Sequence, residues 1–189
     1  MDGTLLVDFI TSLDGYGAAE GWPGWWGLEG PEYLAWLAAQ PEGDWPIVMG
    51  ANTYRAMAGF AASGEPGTEQ LADTTKYLVS STLLEPFAWR NTVLIDKEPL
   101  MAIRDLLEDG VNLRTIGSLQ LCRALLEEGL VSRFRVGIFP VITGATGQER
   151  IYDGYPDVTL ELIEARTLDN RIQILEYRPT VLDGPPRSG

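Results

Sequence analysis

The dipeptide Gly117-Ser118 lies between a short β-run, Leu113 to Ile116, and a helical pattern in which Leu121, Cys122, Leu125 and Leu126 recur on one face until Gly129. A helix that opens directly off a strand leaves its first backbone N–H groups free at the positive end of its dipole, and glycine admits a ligand to close range. The chemistry on offer is phosphate binding. The competing reading is a plain connection with Ser118 as the N-cap. A second stretch repeats the arrangement, because Pro46-Ile47-Val48-Met49-Gly50 reads as a buried strand that passes straight into a helix at Ala51-Asn52-Thr53-Tyr54. Two such turns on adjacent parallel strands would grip two ends of one phosphate-containing ligand. The third suggestive residue is Asp8, an acid inside the apolar run Thr4 to Thr11. It either finds a partner in the core or faces a cleft, and the cleft is favoured. The single cysteine, Cys122, falls on an apolar helix face and reads as a buried, inert thiol.

Composition removes whole classes of function. There is no histidine, so imidazole-based triads and zinc sites are excluded, and no metal centre is expected. The net charge of −13 repels polyanions, which argues against nucleic acid and anionic membranes as partners. The absence of a long apolar run and of a basic leader predicts a cytoplasmic protein.

These residues need elements to position them. Thr4 to Thr11, Pro46 to Gly50, Lys76 to Ser80, Thr92 to Ile95, Leu113 to Ile116 and Phe134 to Phe139 read as strands; Pro31 to Ala39, the stretch after Gly50, Pro99 to Gly110 and the stretch after Ser118 read as helices. Gly59 to Thr75 reads as an exposed loop with a helical turn near Glu69 to Ala72, and Pro140 to Gly147 as turns. The run GYGAAEG after the first strand mimics a dinucleotide fingerprint, yet it leads into Trp22-Pro23-Gly24-Trp25-Trp26 rather than a helix. Gly15 to Gly30 is therefore a loop, either an apolar lid over a flat ligand or an aromatic-stapled Ω-loop packed on the domain. Alternation in Val158 to Leu162 and Arg171 to Tyr177 predicts a hairpin turning at Asp169-Asn170. The pattern predicts one α/β domain over residues 1–178, with a mostly parallel sheet closed by a C-terminal antiparallel hairpin and a frayed tail over 179–189. Ligands of such sheets sit beyond the strands' carboxyl ends, where Asp8, Gly50, Ser80 and Gly117 are expected to gather.

The ordered motifs Ser12-Leu13-Asp14-Gly15, Val48-Met49-Gly50 with Thr53-Tyr54, Val79-Ser80-Ser81-Thr82-Leu83, Ile116-Gly117-Ser118 with Leu125 to Val131, and Pro140-Val141 resemble the dihydrofolate reductase superfamily. More narrowly, the chain from Leu5 to Tyr177 resembles the bacterial reductase domain found at the C-terminus of the riboflavin-biosynthesis deaminase/reductase. The resemblance implies a dihydrofolate-reductase-like three-layer sandwich, NADPH as cofactor, hydride transfer to a planar heterocyclic or carbonyl substrate, and an assembly that admits a homodimer. It places Gly50, Thr53 and the turn Gly117-Ser118 with Leu119, Gln120 and Leu121 against the cofactor's phosphates, Ser80 and Ser81 near the adenosine ribose, and Gly15 to Trp26 over the nicotinamide.

Two departures qualify the resemblance. Relatives carry Arg after the strand-ending glycine to pair the 2′-phosphate of NADP, and here that residue is Ala51. Loss of a charge-assisted contact of roughly 1.5–3 kcal/mol leaves NADH as an alternative cofactor. In the helix Pro31 to Ala39, the register of Leu34-Ala35-Trp36 puts Tyr33 where folate reductases hold their pterin-binding acid, with Glu32 beside it. Dihydrofolate itself is thereby disfavoured. Asp8 is the leading candidate for the substrate-facing acid, with Glu32 and Tyr33 as the other catalytic candidates. The alternative function is a ligand-binding or sequestering protein that keeps this fold without catalysis.

Overall fold

The computed structural model describes residues 3–22, 25–64 and 68–186. In chain order it comprises β1 (Leu5–Ser12), β2 (Tyr16–Ala19), a 3-10 turn (Trp25–Gly27), α1 (Pro31–Ala38), a second 3-10 turn (Pro41–Asp44), β3 (Ile47–Gly50), α2 (Ala51–Ala62), α3 (Thr68–Asp73), β4 (Lys76–Val79), β5 (Thr92–Ile95), α4 (Pro99–Glu108), β6 (Leu113–Thr115), α5 (Leu119–Glu127), β7 (Arg133–Phe139), β8 (Gly147–Arg150), β9 (Val158–Leu168) and β10 (Ile172–Val181). The strand order is β5-β4-β3-β6-β1-β7-β10-β9, with β2 and β8 as a separate pair. β5, β4, β3 and β6 run parallel, as do β1 and β7, while β10 is antiparallel to both β7 and β9. This is the expected mostly parallel sheet closed by a C-terminal hairpin. Contacts cluster into two units, one from the chain start to Leu5 with Asp44–Leu130, the other from Leu6–Gly43 with the chain from Val131 onward.

In the first unit, β3 is a run of apolar residues without an exposed face, since Ile47, Val48 and Met49 are all fully buried. Ile47 and Met49 pack with Tyr54, Leu78 and Trp89. α4 and α5 show the helical spacing that sequence predicts: Ile103 and Leu107, then Leu121, Cys122, Leu125 and Leu126, are the buried positions. Lys76 opens β4 fully buried, its ammonium donating to the carbonyls of Leu71 (2.8 Å) and Thr74 (2.6 Å) and lying 4.5 Å from the centre of the Trp89 ring. Burial, with the charge of Arg90, pulls its pKa down to about 8. The turns β3–α2 and β6–α5 are locked together. A Cβ at Gly50 would overlap Ser118 Oγ, and one at Gly117, which holds a left-handed φ of +61°, would come to 3.1 Å from Thr53 Oγ1.

In the second unit the register sets a row of charges across three strands: Asp8 on β1 stands opposite Arg135 on β7, and Arg135 opposite Glu176 on β10. Arg135 Nε donates to Glu176 Oε2 at 2.9 Å, and Arg133 bonds the other oxygen. Glu42, from the second 3-10 turn, pairs with both arginines. Arg135, Glu42 and Glu176 are all 3% exposed or less. Trp36 of α1 stacks on the Arg135 guanidinium at 5.4 Å. Buried charge of this kind is tolerable only when every partner is in place.

Several expectations need correction. The loop Gly15 to Gly30 contains β2, because Tyr16–Ala19 finds a partner in Gly147–Arg150, far away in sequence, where only turns were expected. In Gly59 to Thr75 the expected helical turn is α3 over Thr68–Asp73, but the start of the expected loop is the end of α2, which runs to Ala62. The hairpin strands are longer than their alternating cores. β10 runs to Val181 through Pro179↔Leu160, beyond the last β7 pair at Tyr177, so the first residues of the expected 179–189 tail are strand. Residues 187–189 lie outside the described part.

Two predictions follow from this packing. Gly50→Ala forces its methyl into Ser118 and costs about 1–3 kcal/mol, and adding Ser118→Gly, which removes that side chain and the cost of its left-handed backbone (φ 68°), restores stability in urea unfolding. Burial pushes the Glu42 and Glu176 carboxyls up, but bonds from Arg133 and the charge of Arg135 outweigh it and leave both below their ordinary value of 4.5. A depressed folded pKa gives stability that is present above that value and lost as pH falls through the folded pKa. Glu176→Gln should therefore cost roughly 3 kcal/mol at pH 7 by leaving two buried arginines short of one negative charge, with the gap to the wild type closing as pH falls below about 4.5.

Candidate functional site

In the first unit, β3 and β6 are parallel neighbours, with Ile47↔Arg114 and Val48↔Thr115, so α2 and α5 start side by side at their carboxyl ends. Gly50 caps α2 in extended conformation and Ser118 caps α5 in the left-handed region. Neither makes a side-chain cap, and neither first turn carries an acid. The side-chain cap of the competing reading is thus absent: Ser118 stands at the N-cap position with φ of 68° and its hydroxyl lies against Gly50. Two helix starts consequently present first-turn N–H groups, from Ala51, Asn52 and Thr53 and from Leu119, Gln120 and Leu121, at one edge.

Gly50, Thr53, Gly117 and Ser118 are brought together by direct contact. Ser80 follows β4, the strand on the other side of β3, where Val79 pairs with Gly50. Its hydroxyl is buried and accepts from the N–H groups of Thr82 (3.2 Å) and Leu83 (3.0 Å), while Ser81 is exposed. Leu121 is buried under the turn and Gln120 is exposed. Uncapped, acid-free donors of this kind fit a pyrophosphate. At position 51 the first helical residue is alanine, and Arg55, one turn on, is exposed and bonded to Asn52 at 3.0 Å. Cys122 is fully buried with its thiol pushed up to about 12 by burial, which makes it inert.

In the second unit, Asp8 has a half-exposed side chain, with Oδ2 3.5 Å from Arg135 Nη1. Tyr33 is buried against Phe139, Trp25 and Trp36. Burial first, then the charges of Asp8 and Glu29, drive its phenol pKa well above the ordinary value, against a bond from Trp25. Glu32 is exposed and takes part in a reciprocal cap. Its carboxylate accepts from Asp169 N–H (2.6 Å), while the Asp169 carboxylate accepts from the N–H groups of Glu32 and Tyr33 (3.0 Å each). Gly30 is needed there, since any Cβ would overlap Asp169.

The tryptophan segment packs on this core, with ring centroids 5.7 Å apart for Trp22–Trp26 and for Trp26–Phe139. Pro23 and Gly24 lie outside the described residues. Sequence reasoning missed Arg135, Glu42, Glu176 and Glu29. The spacing Arg133-Phe134-Arg135 in a buried strand was a usable signal for the first, since a cation there needs acids on its neighbours.

Among the described residues, no helix is long and apolar enough to cross a membrane. No curated protein matches the chain. Solved structures do. A putative riboflavin biosynthesis protein from Shewanella sp. PV-4 superposes with a TM-score of 0.70 at 20% identity, covering 94% of this chain and 99% of that one. A pyrimidine reductase-like protein from Corynebacterium diphtheriae gives 0.67 at 16%, covering 94% and 92%. The diaminohydroxyphosphoribosylaminopyrimidine deaminase/5-amino-6-(5-phosphoribosylamino)uracil reductase of Thermotoga maritima gives 0.65 at 14%, with 95% of this chain matching 57% of that longer one. At these identities the likeness establishes the fold, which is the reductase fold that the sequence motifs implied. The model of the RibD C-terminal domain matches residues 3–174, nearly the whole length, and the chain belongs to that family.

Proposed function

We propose that this protein is a reductase of a small, planar, pyrimidine-type heterocycle and that it draws on a nicotinamide dinucleotide, NADPH or NADH. The observation that carries the reading is the pair of interlocked, uncapped helix starts at Gly50 and Ser118, which offers convergent backbone donors and no opposing acid. Family membership supports the reaction class, and the naming of the Corynebacterium and Thermotoga structures supports the pyrimidine ring.

When bound, the dinucleotide supplies the hydride. The chain supplies binding, orientation and proton control. The N–H groups of Ala51, Asn52, Thr53, Leu119, Gln120 and Leu121 hold the pyrophosphate, Gly50 and Gly117 keep side chains out of its way, and Ser80 and Ser81 lie toward the ribose. Asp8, steadied by Arg135, accepts a ring N–H of the substrate and so orients it. Tyr33 keeps its own proton at neutral pH, so it acts as a wall rather than an acid. Glu32 serves through its cap on Asp169, which fixes the start of α1. A binder without turnover would use the same donors. Ala51, which offers no charge to a 2′-phosphate, favours that second reading, and oxidation of NADPH or NADH in the presence of a pyrimidine substrate decides between them.

Titration with NADPH and NADH, followed by tryptophan quenching, tests the cofactor half. Gln120→Glu puts an acid in the first turn of α5, which stabilises the helix by about 0.3–1 kcal/mol yet opposes a phosphate. The expected result is a slightly higher melting temperature with affinity lower by roughly tenfold. Unchanged affinity contradicts the placement. Ala51→Arg should raise the preference for NADPH over NADH by about one to two decades, an effect that weakens with salt. A wild-type preference already above about a thousandfold would mean that another cation has the role.

A further inference from the structure

In the second unit, the Glu29 carboxylate takes no part in the contacts described so far. Glu29 is half-buried, and its Oε2 is shielded from solvent with no hydrogen-bond partner among the described residues. It does not neutralise the buried arginines, because Arg133 and Arg135 are paired with Glu42, Glu176 and Asp8. It does not cap α1, because Asp169 does. Two donors in the same segment are also unspent: the indole N–H groups of Trp22 and Trp26 are buried without partners among the described residues.

The two indoles belong to one aromatic cluster. The Trp22 ring is 5.7 Å from Trp26, which is 5.7 Å from Phe139, which in turn is 5.3 Å from Tyr33. The charge of Glu29 reaches the Tyr33 phenol, as does that of Asp8. The backbone that sets them is strained, with Trp25 and Trp26 holding left-handed φ of 43° and 51°, a conformation that bulky residues rarely keep without cause. Unpaired buried polar atoms and backbone strain in one short segment are each costly to folding, and both are typical of residues kept for a ligand.

We propose that Glu29 is a ligand-binding residue: its shielded carboxylate oxygen accepts an N–H of the heterocycle, while the indole N–H groups of Trp22 and Trp26 donate to ring carbonyls. A pyrimidinone ring carries both kinds of group and the flatness to lie among these aromatic side chains. The assignment rests on the reductase reading only for the ligand class, and it concerns a residue distinct from Asp8 and from Glu32.

Calorimetric titration with 5,6-diaminouracil and with its 1,3-dimethyl derivative, which keeps the flat ring and carbonyls but carries N-methyl groups in place of both ring N–H groups, tests it. The wild type should bind the first at least about tenfold more tightly than the second, on the scale of one charge-assisted hydrogen bond. Glu29→Gln should weaken the first by about tenfold, and Glu29→Ala should bind both probes equally. Melting temperatures should stay within about 2 °C of the wild type in both Glu29 variants, since the shielded oxygen makes no hydrogen bond among the described residues. The proposal is overturned if the wild type does not prefer 5,6-diaminouracil, if the Glu29 variants bind it like the wild type, or if both variants melt several degrees lower, the mark of a structural acid. NADPH titration of the same samples reports the cofactor separately: wild type that binds the diaminouracil but neither dinucleotide would end the reductase reading and leave the Glu29 assignment standing.

Discussion

Much of this structure depends on one steric fit, the contact between the turn that ends β3 and the turn that ends β6. Gly50 leaves room for the Ser118 hydroxyl, and Gly117 leaves room for the Thr53 side chain. Side chains on either glycine would push the two helix starts apart. Because the strands are parallel and adjacent, that fit sets α2 and α5 together and aims their unpaired N–H groups at one edge. Ser118 adopts a left-handed backbone and gives up the cap that its residue type favours. A helix start that forgoes its side-chain cap, beside a second one that begins at glycine, leaves room for an anion.

The second unit adds a buried charge network to its close backbone contacts. Its strand register lines up Asp8, Arg135 and Glu176, and Glu42 closes the set from a short 3-10 turn. The network holds Arg135 under the Trp36 ring and leaves Asp8 as its one partly exposed acid. The hairpin turn at Asp169 fixes the start of α1 through two backbone bonds, and so fixes the position of Tyr33. Rigidity here comes from polar contacts between segments far apart in the chain, which suits a surface that must present a flat ligand with a defined set of donors and acceptors.

What was legible in the sequence was what is local. The glycines at strand ends, the apolar runs of β1 and β3, and the 3.6-residue spacing in α4 and α5 each state their own structure, and the ordered motifs were enough to name the fold. What was not legible depended on distant partners. Tyr16–Ala19 is a strand only because Gly147–Arg150 lies beside it, and Glu32 is a capping residue only because Asp169 returns to meet it. Asp8 could be recognised as anomalous in an apolar strand, but its Arg135 partner required the β1–β7 register. Glu29 gave no signal, since an acid in a glycine-rich loop looks solvated until its oxygen is found shielded.

The central claim is that the two helix starts together form the cofactor's anion seat, and backbone amide NMR reads it most directly. On addition of NADPH, the N–H resonances of Ala51 to Thr53 and of Leu119 to Leu121 should shift together and saturate with one dissociation constant, and inorganic pyrophosphate should move the same set more weakly. Shifts that leave both groups in place while resonances elsewhere saturate would contradict the account.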